Sequence, residues 1–104
     1  VNNLEDIFSV PGIDGIIVGP YDLSASMGYP GEYDRPDVKA ALLKIDEVAK
    51  KLDKPLGFHV IDSGYQKTLD KINKGYDFIA FSLDSLFLGE TSRKQINNLK
   101  NIYK

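Results

Sequence analysis

The sequence contains no cysteine and no tryptophan, and it has only one histidine and one methionine. Without cysteine, disulfide bonds, thiol nucleophiles and cysteine-ligated metal sites are excluded. Long hydrophobic runs are also absent, since the apolar stretches 16–18 and 78–81 are far shorter than a membrane-spanning helix. No basic stretch precedes an apolar core, so the first residues do not read as a signal peptide.

Neither sign of charge dominates the sequence. The 104 residues include 13 Lys and Arg against 15 Asp and Glu, which gives a net charge of −2. This balance provides no electrostatic reason to expect nucleic acid or a membrane surface as a partner. The hydrophobic share of 42% is ordinary for a globular protein, and a cytoplasmic location is the default expectation.

Short apolar segments alternate with helical patterns along the whole chain. Strands are predicted at 13–18, 55–60 and 78–82, and helices at 4–8, 36–52, 63–75 and 84–104, the last broken near Gly89. Residues 19–35, rich in Gly and Pro, are predicted as a long irregular loop. Strict alternation of strands and helices predicts an α/β fold with a parallel sheet.

Three strands are few for an independent parallel fold. A freestanding doubly wound domain has about five strands, and a three-stranded sheet leaves two open edges. Three β/α units of a TIM (β/α)8 barrel, which needs roughly 250 residues, fit the pattern better. We therefore expect residues 1–104 to form the C-terminal part of one barrel domain, and we expect the chain beginning at Val1 to be incomplete.

The segment that follows the first predicted strand carries the strongest chemical signal. In a barrel, functional groups gather after the C-terminal ends of the strands. Gly19 permits close approach of the backbone to a ligand, and Pro20 fixes the turn. The N–H groups of Tyr21 and Asp22 can then point at an anion, and the Asp22 carboxylate is a ligand suited to Mg²⁺ or Mn²⁺. The structural alternative is that Asp22 caps a turn over residues 23–26.

The sequence Gly-Ile-Ile-Val-Gly-Pro-Tyr-Asp-Leu-Ser-Ala-Ser-Met-Gly at positions 15–28 resembles the signature of the HpcH/HpaI aldolase family. The resemblance extends upstream to Val10 and downstream to Asp84, although only this block is specific. It implies a class II aldolase, a carbon–carbon lyase that cleaves or forms a bond in 4-hydroxy-2-oxo acids. The products of cleavage are pyruvate and an aldehyde, and the family assembles as homo-oligomers.

The same resemblance implies roles for individual residues. Asp22 is the expected ligand of a divalent metal, Mg²⁺, Mn²⁺ or Co²⁺. Gly19 and the backbone amides of Tyr21 and Asp22 are expected to bind the pyruvate carboxylate. The metal polarises the 2-oxo group, so that no Schiff-base lysine is needed.

Other functional residues of the family have no counterpart in this chain. A second metal ligand, a glutamate, belongs on the strand before Val1, and Glu5 and Asp6 lie beyond that position. A catalytic histidine and a substrate-binding arginine belong further upstream. No catalytic residue is therefore assigned here, and we expect the chain alone to be inactive.

Several aromatic residues and the single histidine receive secondary predictions. His59 does not match the catalytic position, so a structural or substrate-contacting role is expected. Phe58 and Val60 are candidates for shaping the aldehyde pocket. Tyr29 and Tyr33, in the predicted loop, are candidates for a lid over the site or for contacts with a neighbouring subunit.

Two other functional classes are compatible with parts of the sequence. A citrate-lyase-like enzyme acting on an acyl-CoA thioester would carry a different pattern from Gly-Pro-Tyr-Asp-Leu-Ser at 19–24. A non-catalytic α/β module of the receiver type would need acidic residues at strand ends, which Asp62 and Asp84 offer. It would also need a lysine ending a late strand, which is missing, and Asp84 is expected to cap the last helix instead.

Overall fold

The computed structural model describes residues 1–103. Its elements follow one another in the order α1 (Leu4–Phe8), β1 (Ile16–Val18), α2 (Pro20–Ser26), α3 (Pro36–Lys51), β2 (Leu56–Val60), α4 (Tyr65–Asn73), β3 (Phe78–Phe81) and α5 (Asp84–Ile102).

The three strands form a parallel sheet in the order β1-β2-β3. In its register, Val18 of β1 lies beside Phe58 of β2, and Phe58 lies beside Ile79 of β3. Each connection between neighbouring strands contains a helix, as parallel pairing requires. The predicted α/β fold with a parallel sheet is confirmed.

The main hydrophobic core lies between the sheet and α3. Along this helix, apolar residues at spacings of three and four form one buried face. It packs against alternate residues of the strands, since side chains of one parity point to one face of a sheet. The buried core residues are Leu4, Phe8, Val18, Ile45, Val48, Ala49, Leu56, Phe58 and Val60.

The opposite face of the sheet is also apolar but remains largely uncovered in this chain. Ile17 and Phe78 are 50% and 44% exposed, and both flank Gly57 in the register. A Cβ atom at Gly57 would overlap the ring of Phe78, so glycine is required for this ring to lie flat against β2. A strand with apolar side chains on both of its faces is typical of a sheet that is covered on both sides.

Proline residues mark the start of two helices. Pro20 and Pro36 each occupy the first helical position, where the missing N–H group costs no hydrogen bond. α4 ends before Gly75, whose φ of +92° belongs to the left-handed region that favours glycine.

The structure corrects three predicted local features. The segment 19–35 is not irregular throughout, because it contains α2. α5 runs without a break through Gly89, where one glycine costs a helix only about 1 kcal/mol. Asp84 is the first residue of α5, and the N-cap residue is Leu83. The Oδ1 atom of Asp84 accepts a hydrogen bond from Ser85 N–H at 2.7 Å.

Within residues 1–103, no helix combines the length and the apolar composition needed to cross a bilayer.

The contact between α1 and α3 provides a test of the core. Phe8 is 1% exposed, whereas its neighbour Ile7 on the same helix is 45% exposed. We expect Phe8→Ala to lower the free energy of unfolding by about 3–5 kcal/mol, because it removes a buried ring and leaves a cavity. Ile7→Ala, the matched control, should cost less than about 1 kcal/mol. Urea denaturation followed by circular dichroism measures both, and equal losses would contradict the packing described.

Candidate functional site

The carboxyl ends of the three strands meet at one edge of the sheet. Gly19 follows β1, Ile61 follows β2 and Ser82 follows β3. Polar groups carried by these residues, and by those just after them, therefore share one edge, as expected for ligand sites of parallel α/β proteins.

The turn from β1 into α2 places Asp22 in the first turn of a helix. Gly19 is the N-cap residue and Pro20 the first helical residue. The N–H of Leu23 donates to the Gly19 carbonyl at 2.9 Å, which is the first hydrogen bond of the helix. The N–H groups of Tyr21 and Asp22 precede that bond and have no acceptor in their own helix.

The capping interpretation of Asp22 is wrong. Asp22 is the third residue of α2, so the helix starts before it. Among residues 1–103, no hydrogen bond or ion pair involves its carboxylate. The carboxylate instead leans back over Gly19, where a Cβ atom would lie 2.9 Å from Asp22 Oδ2. A side chain at position 19 would therefore displace the carboxylate from this position.

Ser24 fixes the loop that follows α2, a role that the sequence interpretation missed. The residue is fully buried, its Oγ–H donates to the Tyr21 carbonyl at 2.9 Å, and its Oγ accepts from Gly31 N–H at 3.0 Å. The Ser24 carbonyl accepts from Tyr29 N–H at 2.8 Å. A serine between apolar helix positions, seven residues before a loop glycine, was the only signal in the sequence.

One side chain at this edge, that of Asp22, is of the type that binds a hard divalent cation. The Asp22 carboxylate is exposed, and carboxylate oxygen is the ligand type that Mg²⁺ and Mn²⁺ prefer. In the part of the chain that the structure describes, no group of three or more His, Cys, Asp or Glu side chains is arranged to hold a metal. Within these residues, Asp22 can therefore offer a cation only a single carboxylate, and its role as a metal ligand stays a prediction.

Phe58 and Val60 lie on the face of β2 that carries the helices. Both are 5% exposed, and the Phe58 ring packs against Tyr76 with a centroid distance of 5.0 Å. The Nζ atom of Lys71 lies 3.8 Å from the centroid of the Phe58 ring. This burial argues against direct contact of Phe58 with an aldehyde at the opposite face, and the substrate role of Phe58 stays a prediction without support from its placement.

His59 points to the other side of β2 and joins β2 to the end of β3. Its Nε2 lies 3.1 Å from the Ser82 carbonyl oxygen, and the bond forms when Nε2 carries the proton. The Oγ–H of Ser82 donates to the Ile61 carbonyl at 2.8 Å, and its N–H donates to the Val60 carbonyl. The prediction for His59, a structural or a substrate-contacting role, stays open between these two roles, and these contacts show only the link to β3.

Ser82 adopts a backbone conformation that is unusual for its residue type. Its φ is +57°, in the left-handed region, and the residue is 6% exposed. Such a conformation costs on the order of 1 kcal/mol for a residue other than glycine. The hydrogen bonds of Ser82 to β2 offset that cost and hold the edge of the sheet together.

The two tyrosines of the loop between α2 and α3 are held by local contacts. The guanidinium carbon of Arg35 lies 3.3 Å from the centroid of the Tyr29 ring. Tyr33 is 38% exposed, and burial together with the nearby Tyr21 raises its pKa against an opposing effect of Lys67. Their proposed functions, as a lid or as subunit contacts, stay predictions.

Comparisons with known proteins give a consistent set of similarities. A family model described as HpcH/HpaI aldolase/citrate lyase matches residues 1–88. A hydroxypyruvate/pyruvate aldolase from Sagittula stellata is 40% identical over 85 residues, which are 82% of this chain and 33% of that protein. A 2-keto-3-deoxy-L-rhamnonate aldolase from Klebsiella pneumoniae is 30% identical over 101 residues, 97% of this chain and 37% of that protein.

A solved structure shows the same arrangement of elements. The crystal structure of a HpcH/HpaI aldolase/citrate lyase family protein from Burkholderia cenocepacia superimposes with a TM-score of 0.85 at 28% identity. The match covers 95% of this chain and 38% of that one. The chain thus spans about a third of the length of the curated relatives it matches.

Substitutions at Ser82 test the strained edge of the sheet. Ser82→Ala loses the bond to the Ile61 carbonyl but keeps the strain, so we expect a loss of about 1–2 kcal/mol in unfolding free energy. Ser82→Gly loses the same bond but relieves the strain, and should be more stable than Ser82→Ala by about 1 kcal/mol. Thermal or urea unfolding ranks the two variants. If Ser82→Ala were instead more stable than Ser82→Gly, the result would show that residue 82 does not adopt this positive φ.

Proposed function

The chain belongs to the HpcH/HpaI aldolase/citrate lyase family, and we propose that the whole protein is a divalent-metal-dependent class II aldolase. Its reaction would cleave or form a carbon–carbon bond in 4-hydroxy-2-oxo acids, with pyruvate and an aldehyde as the products of cleavage. The observation that carries the proposal is the turn after β1. There, the Asp22 carboxylate and the Tyr21 and Asp22 N–H groups belong to the first turn of α2 and have no hydrogen-bond partner among residues 1–103.

The proposal includes a barrel of eight β/α units, of which this chain contributes three. The uncovered inner face of the sheet, with Ile17 and Phe78 about half exposed, supports it. In a closed barrel, side chains of that face fill the interior. The superposition on a family structure over 95% of this chain agrees with the same arrangement.

Each group at the turn has a distinct part in the proposed chemistry. The N–H groups of Tyr21 and Asp22 would bind the carboxylate of a 2-oxo acid and orient it at the end of β1. Bound at Asp22, a divalent cation would supply a Lewis acid that polarises the 2-oxo group and stabilises negative charge there. Gly19 would keep the Asp22 carboxylate close to the backbone, since any side chain at this position would displace it.

The aldolase is favoured over a citrate-lyase-like acyl-CoA enzyme. Both curated relatives described above are aldolases by name, and their similarity covers more than four-fifths of this chain. The names also place pyruvate, hydroxypyruvate or a 2-keto-3-deoxy acid among the compounds that those proteins act on. We infer that a small 2-oxo acid of this kind is the substrate here, whereas the aldehyde partner is left open.

Assembly into a homo-oligomer remains part of the proposal. α5 presents Ile96, Leu99 and Ile102 at 50%, 59% and 84% exposure. Apolar side chains in a row on one helix are the kind of surface that subunit contacts use.

Asp22→Asn tests the metal role with the least change in shape. In the whole protein we expect the metal-dependent release of pyruvate to fall by roughly a hundredfold or more, because a Lewis acid contributes several kcal/mol to the transition state. Asp14→Asn is the matched control, since Asp14 is exposed just before β1, at the opposite end of that strand. A coupled lactate dehydrogenase assay measures both. Retention of activity by Asp22→Asn, with unchanged Mn²⁺ binding, would remove Asp22 from the site.

The isolated chain of 104 residues provides a second test. It supplies one metal ligand, so we expect no release of pyruvate from a 4-hydroxy-2-oxo acid with Mg²⁺ or Mn²⁺ added. The whole protein assayed under the same conditions is the control. Turnover by the isolated chain comparable to that of the whole protein would contradict the proposal that the site needs residues from outside this chain.

A further inference from the structure

A cavity of about 430 Å³ lies over β2, between α3 and α4. This volume is within the range of small-molecule sites, which is roughly 300–1,000 Å³. Its walls come from α3, β2, α4 and the loop before α3, all of them elements of this chain. Because α3 and α4 follow consecutive strands, completing a barrel would add β/α units beyond β1 and β3 and would not insert one between these helices.

The floor of the cavity is apolar. Phe58 and Val60 contribute from β2, Leu42 from α3 and Pro20 from the start of α2. Such a surface favours an apolar body of a ligand, because burying it removes hydrocarbon from water.

The lysines around the cavity differ in whether they have acidic partners. Lys39 pairs with Asp34 at 3.2 Å, and Lys67 pairs with Asp62 at 3.0 Å. Lys71 and Lys74, which also line the cavity, have no carboxylate oxygen within ion-pair distance among residues 1–103.

The ammonium group of Lys71 lies over aromatic rings instead of beside an acid. Its Nζ is 3.8 Å from the centroid of Phe58 and 5.5 Å from that of Tyr76. Of the two acids that act on this ammonium group, Asp46 already accepts a hydrogen bond from the Tyr76 hydroxyl at 3.0 Å, and Asp70 accepts one from the Gln66 side-chain amide at 3.3 Å. Burial and the neighbouring Lys74 lower the pKa of Lys71, against opposing effects of Asp46 and Asp70. An anion beside Nζ would restore the stabilisation that the ammonium group lacks.

We propose that the cavity between α3 and α4 binds a small monocarboxylate with an aromatic or branched apolar body. Its carboxylate accepts hydrogen bonds from Lys71 Nζ, and its body packs on Phe58, Val60 and Leu42. Two of the four lining lysines, Lys39 and Lys67, are paired with Asp34 and Asp62, so the positive charge open to an anion lies on the α4 side of the cavity. This binding is independent of the proposed aldolase reaction.

Benzoate is the probe for this site, with benzylamine as the cation of similar shape. Chemical shifts of the ¹⁵N-labelled protein, as its gene encodes it, are followed during titration with each compound. We expect saturable binding of benzoate in the millimolar range, with shifts centred on β2 and α4, and no saturable binding of benzylamine. Absence of saturable benzoate binding, or equal binding of benzylamine, would overturn the proposal.

Two variants separate the charge from the cavity. Lys71→Met keeps an apolar stem but removes the ammonium group, and should weaken benzoate binding by roughly tenfold or more. Lys50→Met, an equal loss of charge on the exposed surface of α3, should leave the affinity unchanged. Leu42→Trp keeps every charge and fills the cavity, and should abolish binding. Circular dichroism melting shows whether each variant is folded. A folded Lys71→Met that binds benzoate as tightly as Lys50→Met would overturn the assignment.

Discussion

The parallel register of the three strands is the constraint on which the rest of the structure depends. β2 is paired on both sides, so Val18, Phe58 and Ile79 are fixed beside one another in one row. With all strands running in the same direction, the connecting helices must return across one face, and right-handed crossovers place α3 and α4 there. The same register brings the residues after each strand to one edge. A shift of one residue would turn Phe58 outward and separate Gly19 from Ser82.

Much of this architecture could be predicted from local patterns. The three strands are short apolar runs, and α3 carries its buried residues at spacings that only a helix brings to one face. Because proline favours the first helical position, Pro36 correctly predicted the residue at which α3 begins. α2 was missed although Pro20 marks it in the same way, because glycine and proline around it suggested a loop. Seven residues leave little periodicity to detect, and the bonds of Ser24 to the Tyr21 carbonyl and to Gly31 N–H, which help to hold this segment, have no marked sequence pattern.

The candidate site was predictable only where its chemistry resides in consecutive residues. Gly19 to Asp22 form one turn, so their proximity follows from the sequence itself. The direction of Phe58 did not follow: alternation places Leu56, Phe58 and Val60 on one face of β2, but it does not tell whether that face meets the helices or the opposite side of the sheet. The hydrogen bond between His59 and Ser82 joins β2 to the residue after β3. Its acceptor is the backbone carbonyl of Ser82, which no side-chain pattern in the sequence reveals. The unbroken α5 shows the same limit, since one glycine is a weak signal against eighteen other helical residues.

What the turn after β1 indicates about function depends on the hydrogen bonding of the Asp22 carboxylate. In a capping box, the side chain of a Glu or Gln at the third helical position accepts the N–H of the N-cap residue. Asp22 leans towards Gly19 without forming that bond, and no other hydrogen bond to its carboxylate is found within residues 1–103. Two N–H donors next to it are also without helical acceptors. The other helices also lack a side-chain capping bond, but Asp37 and Asp84, in the first turns of α3 and α5, each accept a backbone N–H bond, whereas Asp22 accepts none among residues 1–103. Under the proposed function, the ligand of this turn would be a metal-bound 2-oxo acid, which brings both a cation and a carboxylate.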